Sequence, residues 1–593
     1  MAETLLLDGN QAVARGFWEA GGRVAASYPG SPTVELMGAV QGYEDIYSEW
    51  SANEKVALEV AIGASCAGGR AMASMKHVGV NIAADPLMTY TQVDTPGGLL
   101  LVVGDDPGLT SSQNEQDSRF WARFANMPLL EPSSPQEAKD MVGLGLDISE
   151  KYGTPVLLRM TTRLCHSRAK VSTVPRRDIT PEGFKPDQAR FCMLPPHANQ
   201  QQHHMAQRIE QLEKDANSLE INSYIPREDA SALLISGGIL FNYLGEMEPK
   251  ASLFKLGMAW PLPITKIKEL AQNYKEIIVV EELMPFVQEA LQARGIKCKG
   301  KEYFPFTGEL TTNQLRRGLA EAKLAEPQQE ETEPQSVTAR PPLLCAGCPH
   351  RPVFHVLKRL KATVIGDIGC YSLGILEPFA VSKTNISMGA SLGMVKGMAE
   401  LHHSIGDDKP LVAIIGDGTG FHSGLPGFLN LANTNRNITV IVMDNRTTAM
   451  TGGQDNVGTG TLTPGKDQKG ISFKPLLEAM GIKNIQEADQ FKYRELLDIV
   501  RQEMKNPGLS VIITPRPCAL AFKIRETNFY VDPKTCINCR SCISVNCPPI
   551  HMQHYQGIDE KKSHIRHDMC VGCSVCSQVC PVGAIRRRGE VDK

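Results

Sequence analysis

Two runs of cysteine carry the strongest chemical signal in the sequence. The first reads Cys536-x2-Cys539-x2-Cys542-x4-Cys547-Pro548, the second Cys570-x2-Cys573-x2-Cys576-x3-Cys580-Pro581. Thiolates are soft ligands and suit iron–sulfur clusters. Paired runs of this spacing hold two [4Fe–4S] clusters, each taking three ligands from one run and the fourth from the other. One cluster is therefore assigned to Cys536, Cys539, Cys542 and Cys580, and a second to Cys570, Cys573, Cys576 and Cys547. A pair of zinc sites is the competing reading of CxxC. Zinc needs neither the third cysteine of each run nor the proline after the fourth. Such a module moves electrons one at a time, so the chemistry that supplies them is expected upstream.

A second constellation lies further back. Leu411-Val412-Ala413-Ile414-Ile415 reads as a buried strand and ends in Gly416-Asp417-Gly418. A second strand, Ile438 to Met443, ends in Asp444-Asn445. Gly-Asp-Gly, a helix-sized interval, then Asn at a strand end resembles the thiamine diphosphate motif. That resemblance implies a hard divalent cation, Mg²⁺, carried on oxygen ligands. Asp417 would give its carboxylate, Asn445 its side-chain carbonyl and Thr447 its main-chain carbonyl. Gly416, Gly418, Gly452 and Gly453 would let the backbone approach the phosphates, whose charge N–H groups can meet. Gly-Asp-Gly alone is also a common turn. The flanking strands and the following Thr451-Gly452-Gly453-Gln454 set this instance apart.

The elements that must position these residues follow from composition and pattern. A chain of 593 residues is long enough for roughly three to five domains. A net charge of -3 gives no nucleic-acid signal. No apolar run reaches the ~18 residues of a membrane span. The first residues, Met1-Ala2-Glu3-Thr4, lack the basic and apolar regions of a secretion signal. Half of the sixteen cysteines sit in the two runs, so a reducing, cytoplasmic compartment is expected rather than a disulfide framework. Exposed clusters would further favour low oxygen.

Residues 1–185 alternate short apolar strands with helical patterns, as in an α/β domain. The strands are Val24–Tyr28, Ala71–Met75, Leu99–Val103 and Val156–Arg159. They feed loops at Pro29-Gly30-Ser31-Pro32, Lys76-His77-Val78-Gly79 and Gly104-Asp105-Asp106-Pro107, and ligands of open sheets bind at such strand ends. Residues 186–228 read as a polar connector with a helix near Met205 to Leu219. Residues 229–322 form a smaller α/β unit, with strands Ala232–Ser236 and Glu276–Val280. Residues 323–342, rich in Glu, Gln and Pro, read as a linker. A third α/β domain spans 343–520 and the cluster module spans 521–593.

Local residues sharpen this into a family resemblance. Tyr28-Pro29-Gly30-Ser31-Pro32, Asn53-Glu54-Lys55, Met75 to Asn81, Ser112 to Arg119, Cys345 to Arg351 and Phe421-His422-Ser423-Gly424 together resemble the alpha subunit of indolepyruvate:ferredoxin oxidoreductases. These belong to the thiamine-dependent 2-oxoacid:ferredoxin oxidoreductases. The likeness covers essentially the whole chain. It implies two thiamine-binding α/β domains of pyrimidine and diphosphate type, a transketolase-C-terminal-like α/β domain and a C-terminal α+β, bacterial-type 2[4Fe–4S] ferredoxin domain. The implied reaction takes an arylpyruvate, coenzyme A and two oxidised ferredoxins to an aryl-acetyl-CoA, carbon dioxide and two reduced ferredoxins. A non-oxidative thiamine decarboxylase with a ferredoxin tail, and a non-catalytic electron carrier, are the competing readings.

The resemblance also implies roles for single residues. Glu54 matches the glutamate that hydrogen-bonds the aminopyrimidine of thiamine and promotes its activation; Glu49 and Glu59 are its neighbours. His77 and His422 are candidates for acid/base work. Arg119, or Arg123, could pair with a 2-oxoacid carboxylate, and Ser31 could hydrogen-bond the same group. Cys345, Cys348, Cys370 and Cys518 follow the ligand order of the proximal [4Fe–4S] cluster in pyruvate:ferredoxin oxidoreductases; buried thiols or a zinc site would be the plainer reading. A ferredoxin domain on a separate C-terminal segment would sit too far from thiamine to take its electrons directly. The chain has no counterpart of an additional domain of about 200 residues, the size of one large domain, that covers the site in pyruvate-using relatives. A separate, smaller beta subunit is therefore expected, with a dimer of this chain inside an α2β2 assembly.

Overall fold

The computed structural model describes residues 3–326, 342–407, 409–460, 462–463 and 469–589. They form two compact units, which meet in sequence between residues 326 and 342. Most of the expected linker 323–342 lies outside the described residues. Among the described residues no helix is long and apolar enough to cross a membrane.

The first unit is built on a seven-stranded sheet. Its spatial order is Met258–Trp260, Leu129–Leu130, Val156–Thr161, Leu99–Asp105, Ala71–Lys76, Val24–Ser27, Tyr47–Trp50. Every pairing is parallel except the first. Ala71–Lys76, Leu99–Asp105 and Val156–Thr161 are buried along their whole length. Helices cover both faces of a parallel sheet, which is why such strands read as unbroken apolar runs. Gly9–Glu19 and Pro135–Tyr152 pack on one face, Glu54–Cys66 and His77–Tyr90 on the opposite face.

The expected unit 229–322 does form its own sheet, ordered Glu276–Val280, Ala232–Gly237, Ser252–Leu256, Tyr224–Ile225. It is not a separate body. Leu233, Ile235, Phe254 and Val279 share one core with Leu101 and Leu157 of the first sheet. Met258–Trp260, from inside this segment, completes the edge of the first sheet. The connector is also more ordered than its polarity suggests. Its helix runs Pro195–Ala216 and buries Leu212 and Ala216 in the first sheet's core. It starts ten residues before Met205, because proline is tolerated at a helix start and the Gln/His stretch that follows shows no apolar period to reveal it.

The second unit carries a five-stranded, all-parallel sheet ordered Thr363–Ile365, Leu411–Gly416, Ile438–Met443, Leu509–Ile513, Ile485–Glu487. The cysteine module adds the antiparallel pair Phe529–Val531 and Ile585–Arg587 and the hairpin Ile550–Tyr555/Ile558–Ile565. The module is docked onto the sheet domain. Val545 and Val575 lie in the same core as Val412, Ile414 and Ile441. Tyr493 N–H donates to Gln578 Oε1 at 2.9 Å and Gln578 Nε2 to the Phe491 carbonyl at 2.6 Å. His355 contacts the Tyr493 hydroxyl at 2.8 Å and that of Ser544 at 2.9 Å. Apolar side chains beside its cysteines are consumed in packing on the sheet.

Candidate active site and electron-transfer centres

Leu411–Gly416 and Ile438–Met443 are parallel neighbours in register, with Gly416 opposite Met443. Asp417 and Asp444-Asn445 therefore leave the sheet side by side at its carboxyl edge. Asp417 is 3% exposed and Asn445 6%. The Asp417 carboxylate accepts from Asn456 Nδ2 at 2.9 Å, and the Asn445 backbone N–H also points at it. Burial, then the neighbouring Asp444, pushes the Asp417 carboxyl up to about 7. Asp444 is raised as well, by burial, against the pull of Arg446. A buried carboxylate whose side-chain partner is a neutral amide has the chemistry that a hard cation such as Mg²⁺ would take.

The loop that follows is tied to this edge. The Asn445 side-chain oxygen accepts from Thr447 N–H at 3.2 Å, and Thr447 Oγ1 donates to the Gln454 carbonyl at 3.1 Å. Gly452 and Gly453 carry φ of +124° and +89°, a region open to glycine and strained for other residues. Gly416 has a packing reason to be glycine: an added Cβ would lie 2.5 Å from the Tyr371 ring. The Tyr371 hydroxyl donates to the Ile368 carbonyl at 2.7 Å and lies 3.0 Å from Thr419 Oγ1, which itself donates to that carbonyl at 2.9 Å. Gly418 is buried in the first turn after the strand. His422 lies in a π turn, Gly420–Gly424, inside the helical run from Asp417 to Leu431. The chain turns straight from strand to helix here, and π turns often mark functional positions.

Two polar residues of this end have no strong sequence signal. Asn456, the partner of Asp417, follows Asp455 in what reads as ordinary turn sequence. Asp367 is fully buried and accepts Gly389 N–H and Ser391 N–H, each at 2.9 Å, at the start of helix Ala390–Ser404.

In the first unit Glu54 opens helix Glu54–Cys66, and Asn53 caps it by accepting from Val56 N–H. Glu54 is 6% exposed. Its neighbours differ: Glu49 accepts from Tyr47 and Ser51 hydroxyls, and the exposed Glu59 pairs with Lys55 at 2.7 Å. The Glu54 carboxylate lies over Gly79, where an added Cβ would meet Glu54 Cγ at 2.6 Å and Oε1 at 2.7 Å. Gly79→Ala is therefore expected to displace Glu54, and turnover should fall by about 10²-fold or more while iron content and thermal unfolding stay close to the parent. Unchanged kcat in that variant would detach Glu54 from the reaction.

His77 was expected in a loop and instead opens helix His77–Tyr90 directly after the strand Ala71–Lys76. It is fully buried, with Nε2 3.3 Å from the Asn114 carbonyl, and burial lowers its pKa against the pull of Asp105. It is thus held as a neutral imidazole at pH 7. Ser31 is half-buried in the loop before helix Val34–Val40. Lys76 is a buried cation with no sequence signal of its own. It crowds Gly30, whose added Cβ would meet Lys76 Cβ at 2.9 Å. Its Nζ donates to the Ser111 carbonyl at 2.8 Å, and burial brings its pKa down to about 8.

Arg119 is a correction. Its guanidinium is 2% exposed and already engaged with Asp117 at 2.6 Å, Glu281 at 2.7 Å and the carbonyls of Glu282 and Met284. It bolts the two sheets of the first unit together, and its buried charge is already matched by Asp117 and Glu281 rather than held for a substrate carboxylate. Arg123 stacks over the Trp260 ring at 5.5 Å.

The cysteines lie in three neighbourhoods. Cys536, Cys539, Cys542 and Cys580 line one cavity. Cys547, Cys570 and Cys573 act electrostatically on one another and on Cys576. Cys345, Cys370 and Cys518 are likewise neighbours, as are Cys348, Cys345 and Cys370. Burial raises the Cys348 and Cys370 thiols to about 12, so these sulfurs need a positive centre to ionise. Cys518 N–H donates to the Asn445 carbonyl at 2.9 Å, which joins this third group to the sheet edge that carries Asp417 and Asn445.

Comparison with known proteins adds to this geometry. Residues 15–228 match the family described as "Pyruvate flavodoxin/ferredoxin oxidoreductase, thiamine diP-bdg". Residues 367–514 match "Thiamine pyrophosphate enzyme, C-terminal TPP binding domain" and residues 530–587 match "4Fe-4S dicluster domain". "Indolepyruvate oxidoreductase subunit IorA" of Archaeoglobus fulgidus is 36% identical over 98% of this chain and 97% of its own. The protein of the same description from Pyrococcus horikoshii is 37% identical over 99% of this chain and 98% of its own. The chain belongs to the IorA family. It is an enzyme, a thiamine-dependent 2-oxoacid:ferredoxin oxidoreductase with a C-terminal four-iron dicluster domain. In this member of the IorA family Asp417 and Asn445 share a unit with the cysteine module.

Proposed function

We propose that this chain is the catalytic alpha subunit of an enzyme that oxidatively decarboxylates aryl 2-oxoacids. Indolepyruvate, phenylpyruvate and 4-hydroxyphenylpyruvate would be converted with coenzyme A to aryl-acetyl-CoA and carbon dioxide, with two electrons passing to ferredoxin. The observation that carries this reading is the hydrogen bond from Cys518 to Asn445, which sets a group of four cysteines against the edge that would hold the diphosphate. Near-full-length likeness to proteins described as subunits of indolepyruvate oxidoreductase supports the substrate class.

Asp417, Asn445 and the Thr447 carbonyl would hold Mg²⁺, and Gly416, Gly418, Gly452 and Gly453 would border the diphosphate. Thiamine diphosphate supplies the electron sink for decarboxylation. Glu54 would hold a proton at the aminopyrimidine. His77, which burial disfavours in its charged form, and His422 would each serve acid/base steps. Lys76, whose Cβ lies against Gly30, would receive a 2-oxoacid carboxylate together with Ser31. Clusters on the three cysteine groups would supply one-electron transfer. A smaller beta subunit of about 200 residues, one domain in size, would complete the site in an α2β2 assembly in the cytoplasm.

The test is composition and turnover together. Protein purified without oxygen and assembled with the smaller subunit should hold thiamine and about twelve iron atoms per chain, as three four-iron clusters require. Cys370→Ser should lower this to about eight. Arylpyruvate and CoA should then reduce ferredoxin. About eight iron atoms in the parent would return Cys345, Cys348, Cys370 and Cys518 to ordinary thiols. Iron without thiamine would overturn the catalytic reading, and full CoA-dependent activity of the chain alone would remove the second subunit.

A further inference from the structure

One guanidinium stands between two of the cysteine groups. Arg351 lies in the first turn of helix His350–Arg359 and is 2% exposed. Its Nε donates to the Cys345 carbonyl at 2.9 Å. Its two terminal nitrogens donate to the carbonyls of Leu344 and Asn546. Leu344 and Cys345 belong to the loop that carries Cys345 and Cys348; Asn546 directly precedes Cys547. One side chain thus ties a ligand loop of the third cysteine group to a ligand loop of the dicluster domain. The Gly347 N–H, pointing at the Cys547 thiol, makes a second tie.

The electrostatics match. Cys547, Cys348, Cys345 and Cys573 are the groups whose charge acts on the Arg351 guanidinium, and among the described residues no carboxylate is paired with it. Arginine keeps its charge in proteins. A buried cation bonded only to neutral carbonyls is unfavourable unless a negative group lies near. Four thiolates around a four-iron cluster carry net negative charge, which grows by one on reduction, and net charge and hydrogen bonding set cluster potentials.

We propose that Arg351 is a positioning residue that fixes the spacing of the cluster on Cys345, Cys348, Cys370 and Cys518 from the cluster on Cys547, Cys570, Cys573 and Cys576, and raises the reduction potential of both. This rests on the reading of the first of these groups as a cluster site. A cation shared by both would stabilise an added electron on either, and would leave the cluster on Cys536, Cys539, Cys542 and Cys580 outside its reach.

The test uses the assembled enzyme, with iron content and an EPR-monitored reductive titration as readouts. In R351M, two of three cluster signals should move to lower potential and the third should stay. In R351K, which keeps the charge but cannot span three carbonyls, the same two should move less. Full iron with all three potentials unchanged in R351M overturns the proposal, as does a shift of equal size in both variants, which would report packing alone. Should R351M fail to hold its iron, R351K decides by itself: a displacement confined to the same two signals supports the role, and unchanged potentials with full iron overturn it. About eight iron atoms in the parent would instead overturn the three-cluster reading, and the Arg351 effect would then appear on one signal alone.

Discussion

Asp417→Ala is expected to strip the protein of thiamine diphosphate while leaving its iron in place. Asp417 supplies the single carboxylate proposed for the cation, and its charge is unmatched by any side-chain cation in its hydrogen bonding. Changing residues one shell away from a metal typically weakens binding about 10–100-fold, so losing the carboxylate ligand should exceed that range. The same substitution should raise the thermal stability of metal-free protein. The Asp417 carboxyl titrates near 3.8 when unfolded and at about 7 in the fold. The folded state therefore binds the extra proton between these values, and metal-free stability falls as pH rises through that window. Alanine removes the dependence, and Mg²⁺ should remove it in the parent. Calorimetry with and without Mg²⁺ at pH 5 and 8, beside thiamine content after gel filtration, reads both effects. Retention of thiamine by the variant at parental Mg²⁺ levels would refute the assignment.

Glu54→Gln should have the largest effect on turnover at full cofactor occupancy. A positioned proton-transfer group is worth about 10²–10⁴-fold in rate. Glutamine keeps the shape that lies over Gly79 and the helix start and removes only the ability to exchange a proton. Deuterium exchange at the reactive carbon of bound thiamine should slow in step with kcat, with thiamine and iron contents unchanged. Glu49→Gln and Glu59→Gln serve as controls, because those side chains are engaged with Tyr47, Ser51 and Lys55. Exchange at the parental rate in Glu54→Gln would end its candidacy.

These expectations start from features legible in sequence, for a physical reason. Strands buried on both faces must be apolar throughout, so Leu99–Asp105, Leu411–Gly416 and Ile438–Met443 announce themselves. Cluster ligands must be cysteines at fixed spacing, so the two runs stand out as well. What sequence hid was set by distant partners. Arg119 looks like a carboxylate receptor because the motif around it is polar, and only the fold brings Glu281 to its other side. Lys76 and Asn456 matter through burial, which one residue's identity does not encode. His77 and His422 look like loop residues because glycine surrounds them. Here Gly79 leaves room for Glu54, and the chain enters helices at once.

The strand Met258–Trp260 has a consequence for how the chain is made. Until it arrives, Leu129–Leu130 is the outermost strand of the first sheet, paired on one side only. An open edge of this kind invites pairing with another chain. At synthesis rates of about 5–20 residues per second, the wait from Leu130 to Met258 lasts on the order of 10 s. Through that interval the newborn thiamine-binding half leaves the ribosome with its edge uncovered. Truncations ending near residue 228 would make that state permanent, and a chaperone that shields strand edges would act on this chain in that interval.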